Sequence, residues 1–260
     1  MFYSEHFSFD NISSKDMGVI LVTQNDDILM EYGIGYESNL NSEKAINSIE
    51  DIFFSEEKTS QSIEMSLCLV DDKLIPIPWT LQKRNEILNW IVQKEFKPFV
   101  SEDTPNIVHY FKCIGVKKEL SADMTGLLTL TMQPISPYAY TPISIQKYKT
   151  SNSKVEFIID NPSNLHEVYY PQIEIVSLSD NESIEIYNTT VSDTPFVINN
   201  LNLNEVVEID GLLKTVFNDK DEQRLTDCNR AWLKLIRGQN IIKVRGNCLI
   251  TVKSQFPMLV

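Results

Sequence analysis

The chain has 260 residues, 23 Lys and Arg against 36 Asp and Glu, and a formal charge of −13. At about 150 residues per domain this is one large domain or two small ones, and an apolar content of 42% supplies a core, which excludes a disordered chain. The acidity argues against electrostatic gripping of nucleic acid, which needs Lys and Arg to neutralise phosphates, and the longest apolar run, Met17 to Val22, falls far short of the ~18 residues of a membrane span.

The opening, MFYSEHFSFD, lacks a basic segment followed by an apolar one, so no secretory signal is expected. Phe2 to Asp10 and Gly18 to Thr23 read as strands, the second rich in β-branched residues. Residues 24–62 are polar, acidic and weakly periodic, and read as an extended arm leaving a sheet. Residues 1–64 hold 13 acids and only three lysines, so the acid excess is concentrated there. Ile63 to Val70 alternates as a strand. The convincing helix is Thr80 to Lys94: Leu81, Ile87, Leu88, Ile91 and Val92 form an apolar stripe, Pro78 precedes it, and Pro98 forbids continuation. Val108 to Val116 and Leu127 to Met132 are strands. Three prolines within Gln133 to Pro142 make a stiff connector, with residues 1–135 and 143–260 as domains on either side of 136–142.

Downstream, strand follows strand. Val155, Phe157 and Ile159 alternate with polar neighbours, as do Ile173 and Ile175, then Ile184 and Ile186. Glu205 to Ile209, Asp210-Gly211 and Leu212 to Phe217 suggest a hairpin with a type I′ turn. Asn240 to Val244, Gly246-Asn247 and Cys248 to Lys253 suggest another. Such a run of short strands without a long helix predicts an antiparallel sandwich or jelly roll.

Tests for chemistry return little. Cys68, Cys113, Cys228 and Cys248 are too scattered for a zinc pair and read as free thiols filling a core. Gly33-Ile-Gly35 lacks the third glycine of a dinucleotide loop, and no GKS, HExxH or GxSxG occurs. Asp219-Lys-Asp221 opens like a calcium loop, but Arg224 stands where glycine is required, so a solvated turn is expected. Asp26-Asp27 and Asp71-Asp72 are adjacent pairs whose members diverge on a strand, a poor geometry for paired acid–base work. No enzyme, metal or cofactor is expected. Tyr169, Tyr170 and Tyr187 could stack on a sugar; core and rim packing is the plainer account.

The order of short motifs carries a resemblance. Phe7-Ser-Phe9, then Asn11-Ile-Ser-Ser-Lys-Asp16-Met-Gly18-Val19, then Arg84 to Trp90, then Phe96 to Asp103 with His109-Tyr110, then Gly126 to Gln133 with Ser136-Pro137-Tyr138-Ala-Tyr140, together resemble the distal tail protein (Dit) family of siphovirus-type tailed bacteriophages. Glu208-Ile-Asp210-Gly211, Trp232 to Gly238, Asn240 to Gly246 and Gln255-Phe-Pro257 follow in the same order. Residues 30–62 depart from the glycine-rich arm of some members. The resemblance implies family structural roles for Asp16, Gly18, Trp90, Asp103, Tyr110, Pro137, Tyr138, Asp210, Gly211, Trp232, Gly238 and Asn240.

The same resemblance implies a mainly β chain with one helix (β or α+β). It comprises an amino-terminal, β-sandwich-like ring domain with helix and arm, and a carboxy-terminal, galectin-like jelly roll. It implies a homo-hexameric ring at the tail tip or baseplate, assembled in the host bacterial cytoplasm into the virion. The ring would join the tail tube protein to a tip or tail-associated lysin protein and to a receptor-binding protein. DNA would pass through its channel without specific binding, and no membrane insertion is implied. Two further readings compete with the hub: a carbohydrate-binding module for host attachment carried by the second domain, and a cell-wall hydrolase.

Overall fold

The computed structural model describes residues 4–22, 35–46, 49–151, 154–191 and 194–260. The chain forms two compact units, Met1–Tyr140 with Leu259–Val260, and Thr141–Met258. The first holds β1 (Phe7–Phe9), β2 (Ile12–Ser13), β3 (Val19–Val22), β4 (Tyr36–Lys44), β5 (Asp51–Ser60), β6 (Ile63–Leu69), α1 (Leu81–Ile91), β7 (Lys97–Ser101), β8 (His109–Leu120), β9 (Gly126–Pro134) and β10 (Ala139–Tyr140). Seven of these strands make one antiparallel sheet in the order β2-β1-β7-β8-β9-β6-β3. The sheet curls: the Leu21 amide of β3 donates to the Glu5 carbonyl just ahead of β1, at 2.8 Å. Alternate residues of the curled sheet therefore meet in one core with Phe7, Phe9, Leu67, Phe99, Phe111, Leu128 and Leu130. Period-two alternation is what sends them inward.

The helix seals that core, but through only part of the expected stripe. Ile87, Trp90 and Ile91 are buried, whereas Leu81 and Val92 lie at the helix ends and are exposed. The tryptophan, left out of the stripe, is its main anchor. Thr80 caps the start, its side chain accepting from the Lys83 amide at 3.1 Å. The end is not set by Pro98, which lies beyond the helix in β7. The Gln93 side chain instead donates to the carbonyls of Asn89 and Trp90, at 2.8 and 3.1 Å, satisfying groups that a helix end leaves open.

Strands β4 and β5 pair with each other, not with the main sheet, from Tyr36↔Ser60 to Lys44↔Asp51. The polar segment read as an arm is thus, in its described part, a two-stranded ribbon; residues 23–34 and 47–48 lie outside the described residues. Beyond β9, the connector is not extended throughout. Ser136 accepts from the Tyr138 amide, and β10 exchanges backbone hydrogen bonds with Val108 at 2.7 and 2.8 Å.

The second unit holds β11 (Ser144–Lys149), β12 (Val155–Asn161), β13 (Gln172–Ser177), β14 (Glu182–Asn188), β15 (Phe196–Leu201), β16 (Val206–Asp210), β17 (Thr215–Asn218), β18 (Gly238–Arg245), β19 (Cys248–Ser254) and β20 (Pro257–Met258). Two antiparallel sheets, β11-β19-β13-β16-β17 and β12-β18-β14-β15, enclose a core that includes Ile175, Ile184, Ile186, Ile198, Val207, Val216, Ile242, Val244 and Ile250. This is the expected sandwich.

Two turn expectations are corrected. The β16–β17 hairpin exists, but its closing pair is Asp210↔Thr215, which leaves a four-residue loop rather than a two-residue type I′ turn. Asp210 Oδ1 accepts from the amides of Leu212 and Leu213 at 2.9 and 2.8 Å, and Lys214, not Gly211, takes the positive φ (59°). Gly211 is needed for closeness: a Cβ there would meet the Tyr170 Cβ at 3.0 Å and the Pro171 carbonyl at 3.1 Å. Strands β18 and β19 are not a hairpin at all. They belong to opposite sheets, and Gly246 (φ 114°) turns the chain from one to the other, where a Cβ would strike the Ser183 carbonyl at 2.8 Å.

Candidate functional site

Two features stand apart from core packing: the ribbon of the first unit and a cavity in the second. The ribbon has a polar stem and an apolar far end. Near the stem Gln61 donates to Glu37, and Ser38 bonds Glu56. Towards the far end Ile46, Ile49, Ile52, Phe53 and Phe54 are all exposed, Ile46 and Ile49 almost completely (94% and 96%). Glu37, Glu43, Glu56 and Glu57 are exposed along the same ribbon. A lone two-stranded ribbon is marginal in water, and apolar patches of this kind mark contact surfaces.

The cavity, about 520 Å³, opens beside β14 and β15. Its floor is Ile186, Asn188 and Phe196; its walls carry Tyr170, Trp232, Lys214, Arg230 and Lys234. Each wall residue is held by local chemistry. The Asp210 cap shapes the β16–β17 loop that delivers Lys214. Asn229 pins the next segment to β15: its side chain donates to the Pro195 carbonyl at 2.8 Å and accepts from the amides of Val197 and Ala231 at 3.0 and 3.1 Å. Arg230 follows with φ 58°, a left-handed conformation that costs a residue bearing a Cβ. Trp232 then lies against Phe196, ring centroids 5.8 Å apart. Buried Asn188 donates to the Lys234 carbonyl at 2.6 Å and to Asn240 Oδ1 at 2.8 Å. Asn240, fully buried, donates to the carbonyls of Ile236 and Gly238 at 2.8 and 2.9 Å and accepts from the Ile236 amide. The segment from Leu233 to Gly238 is thereby closed over the end of β18.

Three cations, three aromatic side chains and no carboxylate stand among the described lining residues. Burial, with the neighbouring charge of Lys234, pulls the Lys214 ammonium below the ordinary lysine value, and Asp210 opposes this.

The three tyrosines singled out in the sequence do not share one surface. Tyr170 lies in the cavity wall. Tyr169 turns toward the core, its ring 4.7 Å from Phe256 and its hydroxyl accepting from the Gln255 amide; burial raises its pKa. Tyr187 alternates along β14 with Ile186 and Asn188, so it points to the opposite face, where its hydroxyl bonds Glu185, which raises its pKa. The remaining motif residues fall at turns, anchors and strand ends. Asp16 is exposed in the turn that Gly18 closes with φ 64°. The Trp90 indole donates to the Phe9 carbonyl at 2.9 Å and its ring stacks on Phe7. Ser101 donates to Asp103 just past β7, and the Tyr110 ring meets Tyr140 edge-on at 5.5 Å. Pro137 and Tyr138 are half-buried ahead of β10, and Gly238 (φ 84°) starts β18.

Lys214, Arg230 and Lys234 escaped sequence reasoning because Lys214 comes from the β16–β17 loop and the other two from the segment between β17 and β18, with no spacing that links them. All four cysteines are free, and burial raises the pKa of Cys68, Cys113 and Cys248. Among the described residues no group of His, Cys, Asp and Glu could hold a metal ion, and no helix is long and apolar enough to cross a membrane.

Comparison with known proteins follows the same two-part division. Residues 2–136 match the model of a phage tail protein N-terminal domain, and residues 138–254 that of a phage tail C-terminal domain. The SPbeta prophage-derived uncharacterized protein YomH of Bacillus subtilis (strain 168) is 23% identical over 265 residues, 98% of each chain. Among solved structures, the Dit protein of phage SPP1, described as a paradigm of the hub adsorption apparatus in phages infecting Gram-positive hosts, superposes with a TM-score of 0.63 at 13% identity, over 96% of this chain and 98% of that one. A chain of the phage P2 baseplate, in its activated conformation with Ca, gives 0.52 at 12% identity, over 95% and 97%.

Proposed function

The chain belongs to the phage tail protein family, and from that membership we propose that it is a structural hub of the tail tip or baseplate, built as a hexameric ring. The observation that carries this is the likeness of fold to the SPP1 hub protein along nearly the whole of both chains, not in one domain alone. The first unit forms the ring around a central channel. The ring joins the tail tube to tip or receptor-binding proteins.

The ribbon supports the assembly. A closed ring of identical subunits needs two different, complementary patches on each one. The exposed Ile49, Phe53 and Phe54 supply one such patch, which a neighbouring copy would cover. The charge supports the channel. The acidic first quarter of the sequence, repeated six times, gives a lumen that repels DNA and so lets it pass without capture. No catalytic role is part of this proposal.

Electron microscopy of intact particles carrying a tagged copy tests it. The expected result is label at the junction of tube and tip, on a six-fold ring with an open, acidic bore. Label elsewhere, an occluded centre, or a neutral or basic bore refutes the proposal.

A second reading, favoured by the aromatic-walled cavity, gives the second unit a saccharide ligand. A glycan array probed with the full chain tests it: reproducible binding that Tyr170→Ala abolishes supports it, and absence of binding refutes it.

A further inference from the structure

Lys214 holds an unusual position for an ammonium group. Its Nζ is shielded from solvent and has no hydrogen-bond acceptor among the described residues. It lies 3.2 Å from the centroid of the Tyr170 ring and 5.3 Å from that of Trp232. The aromatic faces offset part of its lost hydration, but none of its three N–H donors is satisfied. Such a donor is costly to keep. Arg230 and Lys234 stand on the same wall, and neither forms an ion pair with a described residue, although ten such pairs occur elsewhere among them. The loop that presents Arg230 is held in a strained conformation by three Asn229 hydrogen bonds. Strain maintained this way concentrates at ligand clamps.

We propose, building on the saccharide reading above, that this cavity binds an anionic saccharide, a sugar ring bearing a phosphate or carboxylate. The ring stacks on Trp232, whose face suits the C–H surface of a pyranose, while the Tyr170 face holds the Lys214 ammonium in place. The anionic group accepts from Lys214 Nζ and is flanked by Arg230 and Lys234. A volume of about 520 Å³ holds one or two sugar units. A neutral sugar would leave the ammonium without its acceptor, and a free anion would leave the aromatic walls bare. The cavity therefore selects for both parts in one ligand.

The test is titration of the full chain, followed by tryptophan fluorescence and NMR line shifts, with glucose 1-phosphate, glucuronate, glucose and inorganic phosphate. Glucose 1-phosphate or glucuronate is expected to bind at least tenfold more tightly than glucose or phosphate. Lys214→Gln is expected to weaken that binding at least tenfold. Should Lys214→Gln fail to fold, the double variant Arg230→Gln with Lys234→Gln, at two exposed positions, replaces it with the same expectation. Glucose binding as tightly as the charged sugars overturns the inference and leaves the saccharide reading standing. Phosphate binding as tightly overturns it in favour of a bare anion site. Unchanged affinity in the folded variants overturns it too, and no binding by any sugar removes both.

Discussion

His109 makes the first unit sensitive to acid. It is the first residue of β8, 2% exposed, its ring stacked 5.8 Å from that of Phe111. Burial pushes its pKa down from 6.5 to about 4. The fold thus accepts the neutral imidazole and resists the charged one. A depressed folded value means that the stability tied to the neutral ring is fully present above pH 6.5 and is lost as pH falls toward about 4. At about 1.4 kcal/mol per pKa unit the whole effect is about 3 kcal/mol, of which about 2 kcal/mol disappears between pH 7 and pH 5. The assay is urea unfolding of the full chain at both pH values, in a Trp232→Phe background. The remaining tryptophans, Trp79 and Trp90, are both buried in the first unit and report on it alone. His109→Gln cannot charge, so its loss over the same interval should be smaller by about 2 kcal/mol, whatever its stability at pH 7. Equal losses in the two proteins would refute the reasoning.

Trp90→Phe removes the indole bond to the Phe9 carbonyl and part of the stack on Phe7; a loss of about 2–3 kcal/mol is expected in the same unfolding assay, with Trp79 as reporter. Asn240→Leu removes one of the two acceptors of the Asn188 amide and strands the Ile236 amide and carbonyl, so the second unit should lose about 2–4 kcal/mol, read by calorimetry, whereas unchanged stability would show that water replaces the side chain. Replacing Ile49, Phe53 and Phe54 with serine is expected to leave the melting temperature of the isolated chain nearly unchanged, because these side chains are exposed, and to abolish incorporation into particles, read by immunoblot of purified virions.

Much of the fold was legible because it rests on local pattern. Phe157 and Ile159, Ile173 and Ile175, and Ile184 and Ile186 alternate in the sequence and all point into the sandwich core. The helix was legible from its cap and period. Its inward face was legible in part: Ile87 and Ile91 are buried as read, but Trp90 joins the core and Leu81, the first residue of the helix, leaves it. The ribbon was invisible as strands because neither face is buried within its unit, so no alternation records its pairing. The cavity was legible only in part. Tyr170 drew notice as an aromatic and Trp232 as a motif residue, whereas Lys214, Arg230 and Lys234 carried no signal of their own.

What the sequence alone determined was the chain's β character, the one helix among the described residues and, through the order of its motifs, its family. These are properties of neighbours in the chain, where periodicity, proline and capping act. Only the tertiary structure decided that β18 and β19 lie in opposite sheets, that Tyr170 and Tyr187 face different ways, and that Lys214 joins Arg230 and Lys234 on one wall. Pairing between strands far apart in sequence is selected by the total apolar surface buried, a sum over the whole unit that no local window contains.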